Sequence, residues 1–386
     1  MPTSDFPLGA FLQGYRLPTE KIVEFSSDQE LALQAAEDHV AGRGSRQQCL
    51  SIHGLAGTGK TTVLAEIARR YPAALMCTPT GKAAAVLRTK TRRHVSTIHR
   101  LIYNFVGSEE DPDWSYGDYK VMRPKFEPIG QRYDGKLVLL DEDSMVGTKL
   151  AKDLLDIKAR FITSGDPGQL PPVRDERYFE KADVTLTEIH RQALESPIIR
   201  QAHAIRETGR YQADTPDFRV EARALDEDFR NVEMALCWKN STRIALNRRR
   251  REAFGYSNQI MYAGEPLMVL RNCYDYGIWN GEIYELAADR GPGETEFKIR
   301  VEGRTVTIDC GLIEGIDPAF EQFLFDRDTV PFAMAYAATI HKAQGSQWKS
   351  IMVVDEPGLD RYYDRRMVLY TGVTRAEQSV IMVRRR

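Results

Sequence analysis

The sequence predicts an α/β protein of two parallel-sheet domains, the second interrupted by a small antiparallel β module. Three observations carry this. Short apolar runs alternate with helical patterns in both halves of the chain, as in a parallel sheet covered on both faces. Residues 256–331 break that alternation with Gly- and Asp-rich segments of period two ("GEPLMVLRN", "GEIYELA", "FKIRVEGRTVTI"). A chain of 386 residues also exceeds what one ordinary core organises.

Strand and helix patterns pair off in order along residues 1–190, the first domain. "CLSIH" precedes "KTTVLAEIARR", "AALMCT" precedes "GKAAAVLRTK", and "KLVLLDED" precedes "TKLAKDLLDIKA", with "RFITSGD" after them. A polar, aromatic interruption at about 104–135 ("GSEEDPDWSYGDYK") predicts an inserted loop or hairpin. The second domain is assembled from 191–255 and 332–386. Its elements are "VEMALCW" with "STRIALNRRRREAF", then "SIMVVDE", "RRMVLYTGVTRAEQ" and "VIMV". Residues 256–331 form the inserted module.

Composition bounds the setting. The chain is 42% hydrophobic and 28% charged, as in a soluble globular protein. No apolar run approaches the roughly 18 residues needed to span a bilayer. The N-terminus lacks a basic start followed by an apolar stretch, so no secretion signal is expected and the location is cytoplasmic. Five scattered cysteines without CxxC spacing read as reduced packing residues. Seven histidines show no metal-protease or zinc-deaminase spacing. A net charge of −2 gives no global pull toward nucleic acid. The basic runs at 88–94 and 247–251 and the terminal "RRR" are solvated faces unless the fold gathers them in one groove.

Chemistry concentrates at "GLAGTGKTT", residues 54–62. Gly54, Gly59, Lys60 and Thr61 fit G-x-x-x-x-G-K-[ST], lying between a strand and a helix. Glycines, Gly57 among them, let the loop curl so that backbone N–H groups face phosphate oxygens. Lys60 reaches the β/γ phosphates and the Thr61 hydroxyl ligates Mg²⁺, while the helix that opens there favours the anion. Thr58 and Thr62 complete the cradle, which alone fits kinases, GTPases and motors alike, with Mg²⁺ as the expected metal and ATP as the nucleotide the later motifs favour. "KLVLLDEDS" sets Asp141 and Glu142 at the carboxyl edge of the sheet, Asp141 for Mg²⁺ and Glu142 to polarise the attacking water. No NKxD-type guanine reader is present. In "SGDPGQLPPV", Gln169 is either a sensor of the γ-phosphate or part of a plain turn.

This ordered series resembles the superfamily 1 helicases, and within them the RecD/Dda/Pif-like branch, over nearly the whole chain. "FSSDQELAL" resembles the adenine-reading segment, with Gln29. "CTPTGKAAAVL" and "STIHRLI" resemble early DNA-contacting motifs, "DEDSM" the magnesium motif and "GDPGQLPPV" the coupling motif. "LTEIHRQ" is similar to the motif carrying one arginine finger, here Arg191, and "LYTGVTRAEQ" to that carrying a second, Arg375. "YAATIHKAQGSQW" resembles a DNA-coupling motif, and "LMVLRNCYDYGIWNGEIYEL" the β-barrel insertion of this branch.

The resemblance implies two RecA-like P-loop NTPase domains with an SH3-like barrel and a hairpin insertion. It implies an ATP-dependent DNA helicase moving 5′→3′ on single strands, a monomer acting at single-strand/duplex junctions beside replication or recombination proteins. An accessory DNA-dependent ATPase subunit without autonomous unwinding is the alternative, and a small-molecule kinase a third reading. DNA contacts implied are Thr80, Lys82, Thr97 and His99 in the first domain. In the second they are Lys239, Asn240, Thr339, His341 and Gln344. As residues alone, His99 and His341 read first as helix or core histidines, and Asn240 as a strand end and helix cap. Phe105, Trp114 and Tyr116 are candidate tips of a strand-separating pin.

Overall fold

The computed structural model describes residues 24–43, 48–116, 119–130, 133–173, 175–189, 193, 195–257, 259–301, 303–323, 329–358 and 364–384. The first domain runs α1 (Ser27–Val40), β1 (Cys49–Gly54), α2 (Lys60–Arg70), β2 (Leu75–Thr78), α3 (Gly81–Thr91), β3 (Ser96–Thr97) and α4 (Ile98–Ile102). A hairpin follows, β4 (Tyr103–Tyr116) and β5 (Tyr119–Pro128). Then come β6 (Leu137–Asp141), α5 (Thr148–Asp156), β7 (Arg160–Gly165) and β8 (Val184–Leu186). The parallel sheet has the order β3-β2-β6-β7-β1-β8. Strands β1, β6 and β7 lie inside it and are buried on both faces, so β6 reads as an apolar run up to Asp141, while β1 and β7 also bury Ser51, His53, Thr163 and Ser164.

The second domain contains α6 (Pro197–Thr208), β9 (Phe218–Glu221), α7 (Asp226–Asn231), β10 (Met234–Cys237) and α8 (Asn240–Ala253). The inserted module comprises β11 (Pro266–Val269), β12 (Ile283–Leu286), β13 (Phe297–Val301), β14 (Arg304–Ile308), β15 (Gly311–Glu314), α9 (Phe320–Phe323) and β16 (Val330–Met334). The chain then returns through β17 (Ala337–Thr339), α10 (Ile340–Ala343), β18 (Trp348–Asp355), α11 (Arg365–Val373) and β19 (Ala376–Arg384). The second parallel sheet is ordered β17-β10-β18-β19-β9, and the module sheet β14-β13-β12-β11-β16-β15.

The module has its own core, including Leu267, Ile299, Ile313 and Phe332. Its pairing is antiparallel except for β15 against β16. The module sheet runs past residue 331, because β16 ends at Met334. The interruption near residue 104 is an antiparallel β ribbon, and Phe105, Trp114 and Tyr116 lie on its first strand. No described helix is long and apolar enough to cross a membrane. The cysteines are free, with Cys77 and Cys237 buried in strands.

Two of the basic runs give part of their charge to the fold and leave Arg88, Lys90, Arg92, Arg248 and Arg249 exposed. In 88–94, the Arg93 guanidinium donates to the carbonyls of Tyr71, Pro72 and Ala74, closing the turn after α2. In 247–251, Arg251 forms a 2.9 Å ion pair with Glu265, both groups 1% exposed. Arg250 lies over the Tyr336 ring at 4.9 Å. This run therefore fastens α8 to the inserted module instead of tracking phosphates. Its charge, read along the sequence, gave no sign of the burial that the amphipathic helix imposes.

Candidate functional site: a nucleotide cleft between two domains

The loop between β1 and α2 curls as its glycines permit, with Gly57 at φ +88° and Gly59 at φ +79°, the left-handed region that side chains disfavour. Thr58 is buried, and its hydroxyl donates to the Leu55 carbonyl at 2.9 Å, stiffening the curl. Lys60 heads α2, and its Nζ donates to the carbonyls of Gly54 (2.7 Å) and Leu55 (3.0 Å), with Asp166 Oδ2 at 3.6 Å. Thr61 follows in the first turn of α2 with Thr62, which is exposed.

Asp141 ends β6, which lies between β2 and β7. Burial, with the Glu142 carboxylate next to it, pushes its carboxyl up to about 6. Glu142 adopts φ +59°, so the chain turns sharply after the strand. Thr61, Asp141, Glu142, Lys90, Gln347 and Arg375 line one cleft. Arg375 comes from the second domain, is 4% exposed, and sets a guanidinium nitrogen 3.8 Å from Glu142 Oε1. Its Nε donates to the Thr371 carbonyl at 3.2 Å, which fixes its direction. A hydroxyl and a carboxylate at the loop, both hard oxygen donors, suit Mg²⁺ shared with phosphate oxygens rather than a cage of protein ligands. Among the described residues no group of three or more His, Cys, Asp or Glu side chains could hold a metal on its own.

Other expected residues are placed less directly. Gln29 is fully buried: its Oε1 accepts from Ser26 N–H (3.1 Å) and its Nε2 donates to the Thr58 carbonyl (3.0 Å). Its amide braces the loop here, where a base reader was expected, because it lies in the first turn of α1, which packs under the loop. Gln169 is buried, and its Oε1 has no hydrogen-bond partner among the described residues; its carbonyl accepts from Arg177 at 2.7 Å. Arg191 lies outside the described residues.

Thr80, Thr97 and Thr339 share one local role. Each N-caps a helix, accepting from the N–H of Ala83 (3.2 Å), Arg100 (3.3 Å) and Lys342 (3.4 Å) respectively. Lys82 Nζ is buried at the seam, 5.9 Å from the Trp348 ring centre and without a hydrogen-bond partner among the described residues. Burial, helped by Lys342, lowers its ammonium to about 8. His99 is exposed with its ring 5.6 Å from Tyr103, and the half-buried His341 ring lies 4.7 Å from Trp238. Lys239 is exposed. Asn240 does not cap α8: Lys239 is at the cap position, and Glu356 accepts from the N–H groups of Trp238 (2.6 Å) and Lys239 (2.9 Å) instead.

Gln344, expected on DNA, is 4% exposed and donates to the Leu170 carbonyl across the seam at 3.0 Å. The tight turn after α10 buries it there. Tyr370 and His203, which sequence reasoning passed over, also reach across to the first domain. Tyr370 sits inside the quoted "LYTGVTRAEQ", but only its arginine stood out as chemistry. His203 lies on an ordinary amphipathic helix that offers no signal.

Fold and site together define a two-domain P-loop NTPase with RecA-like sheets, its phosphate loop in one domain and a buried arginine in the other. A family model described as an AAA domain matches residues 27–217, and one described as a UvrD-like helicase C-terminal domain matches residues 334–383. The ATP-dependent RecD2 DNA helicase of Deinococcus radiodurans is 26% identical over 361 residues, covering 83% of this chain and 44% of the relative. The RecBCD enzyme subunit RecD of Mycobacterium tuberculosis is 25% identical over 407 residues, covering 85% of this chain and 65% of the relative. The chain thus spans about half the length of these relatives.

Pif1 helicase from Bacteroides, solved with ADP-AlF3 and ssDNA, has the same fold, with a TM-score of 0.55 at 18% identity covering 93% of this chain and 92% of that one. A structure of two coordinating Pif1 helicases at forked dsDNA gives 0.56 at 18% identity over the same shares. The chain is thus similar over most of its length to helicases of the RecD type and shares the fold of Pif1.

Proposed function

We propose that the chain is an ATP-driven DNA motor that translocates 5′→3′ on single-stranded DNA and separates strands at junctions. One observation carries this reading: Arg375 of the second domain reaches Glu142 beside Thr61 and Asp141, so the hydrolytic site is complete only when both domains meet. A cation that crosses a seam to the developing charge makes hydrolysis depend on closure, and product release lets the domains part.

In that mechanism Lys60 and the loop amides orient the phosphates, and Glu142 aligns water. Gln169, with its unsatisfied buried oxygen, reports phosphate occupancy to the seam. Arg375 and Arg191 stabilise transition-state charge. Thr61 and Asp141 would hold Mg²⁺, which would supply electrostatic stabilisation of the phosphates. DNA runs across the two domains past Thr80, Lys82, Thr97 and His99, then Lys239, Asn240, Thr339 and His341, with Gln344 turned inward to the seam. Sequence-independent phosphate contacts make binding steeply salt-dependent. The β4–β5 ribbon is the strand-separating pin. Pif1 was solved on ssDNA and on forked DNA, which supports the choice of substrate.

The test is ATP turnover with and without single-stranded DNA, then unwinding of duplexes with 5′ or 3′ tails. Turnover indifferent to DNA would sink the motor reading, and a 3′-tail requirement would reverse the polarity. The likeness to RecD subunits supports a second reading, a DNA-dependent ATPase working inside a recombination or nuclease assembly. Stimulated turnover without strand separation by the pure chain would favour it.

A further inference from the structure

Ala56 lies in the phosphate loop, and the second domain takes both of its backbone polar atoms. Its N–H donates to the Tyr370 hydroxyl on α11 at 2.7 Å. Its carbonyl is 3.0 Å from His203 Nε2 on α6, and since a carbonyl only accepts, that nitrogen carries the proton. Tyr370 is fully buried and donates its own proton to Asp166 Oδ2 at 2.7 Å. Burial and the Asp166 carboxylate push the phenol far above its ordinary range, so it remains a donor. The same Asp166 oxygen lies 3.6 Å from Lys60 Nζ.

Contact by α6 extends to the next residue. A Cβ placed at Gly57 would lie 3.2 Å from Ile199 Cγ2, so the helix rests on the loop where its backbone is left-handed. A second peptide is held in the same way: Leu170 donates its N–H to Thr371 Oγ1 at 3.0 Å and offers its carbonyl to Gln344.

We propose that Tyr370 and His203 form a clasp on the Ala56 peptide that ties the shape of the phosphate loop to the position of the second domain. Both are positioning residues, because they act on the loop and through Asp166 on Lys60, not on the nucleotide. An arriving phosphate competes with Asp166 for the Lys60 ammonium. The carboxylate then depends more on the Tyr370 hydroxyl, which draws on the helix that leads into Arg375. The clasp rests on the nucleotide-site reading proposed above and adds the route by which that site is felt in the second domain.

The experiment pairs Tyr370→Phe with His203→Ala in the full chain. The ratio of ATP turnover with to without single-stranded DNA should fall by about 10-fold in each, while affinity for ADP moves by much less. A ratio equal to wild type in either folded variant overturns the clasp. A second readout does not involve DNA. Adding ADP with aluminium fluoride should slow amide exchange in residues 365–373 of the wild-type chain, and the slowing should be lost in His203→Ala. Slowing that persists in the variant also overturns the clasp. His203 is only half-buried, so its variant keeps the test open if Tyr370→Phe does not fold. A wild-type chain with DNA-indifferent turnover but nucleotide-dependent exchange would remove the motor reading and leave the clasp standing.

Discussion

The second domain meets two neighbours, and the two joins are made of different bonds. Toward the first domain most contacts are hydrogen bonds to backbone groups, Tyr370 and His203 to Ala56 and Thr371 and Gln344 to Leu170. Charge enters where Tyr370 meets Asp166 and in the looser 3.8 Å approach of Arg375 to Glu142. Toward the inserted module they are charged and sealed. Arg251 pairs with Glu265, Arg243 pairs with Glu314, and Arg250 lies over Tyr336. A neutral hydrogen bond exchanged for water changes the balance by about 0.5–1.5 kcal/mol, so such a seam opens and shuts near thermal energies. Parting a buried ion pair costs about 3–5 kcal/mol, so the other join stays shut. The contrast teaches where motion is expected: between the domains, with the module moving as part of the second.

The largest break is expected on the seam, in catalysis and not in folding. Lys60→Ala should abolish ATP turnover while most DNA binding survives; turnover retained in the variant would mean the phosphates bind elsewhere. Arg375→Ala should bind nucleotide nearly as wild type but hydrolyse it about 10³-fold more slowly, read by single-turnover kinetics. Near-normal hydrolysis would remove its role at the cleft.

The ion-paired join should fail in the opposite way. Arg251→Leu leaves Glu265 buried without its cation, and should lower the stability of the second domain by about 3–5 kcal/mol in urea unfolding. Turnover per folded molecule should hold, and a selective loss of turnover would blur the contrast.

The smallest effect is a gain. Lys82 is a buried cation at the seam whose folded-state ammonium is lowered from 10.5 to about 8, chiefly by burial. The folded protein thus binds this proton less well than the unfolded chain, so stability rises with pH between about 8 and 10.5. Lys82→Met should stabilise the chain at pH 7 by about 1–2 kcal/mol and flatten that rise, while weakening DNA binding. An unchanged urea midpoint would show that the ammonium is already compensated.

Much of this was legible in the chain itself. Strand–helix alternation marks both parallel sheets, because strands covered on two faces are mostly apolar, as β6 is up to Asp141. The phosphate loop and Asp141–Glu142 are local in sequence, so their spacing carries their chemistry. What is assembled across the seam was not legible. Gln344, read as a DNA contact, is turned inward to Leu170, and Gln29 is absorbed in bracing Thr58. The arginine run at 247–251 read as a solvated face until the packing of α8 showed that Arg250 and Arg251 are buried. Tyr370 and His203 depend on residues 147 to 314 positions away, and no local pattern encodes such a pairing.

Only Ala335 and Tyr336 separate β16 from β17. Both are buried and both are pinned: Ala335 N–H donates to the Pro266 carbonyl at 2.9 Å, and Ala235 N–H donates to the Tyr336 carbonyl at 3.0 Å. So short a tether cannot pivot. A few degrees of rotation in the β10–β17 layer must therefore sweep β14, at the outer edge of the module, along an arc that lengthens with radius. The module behaves as a pointer fixed to its axle, turning slight angular change into visible travel at its rim.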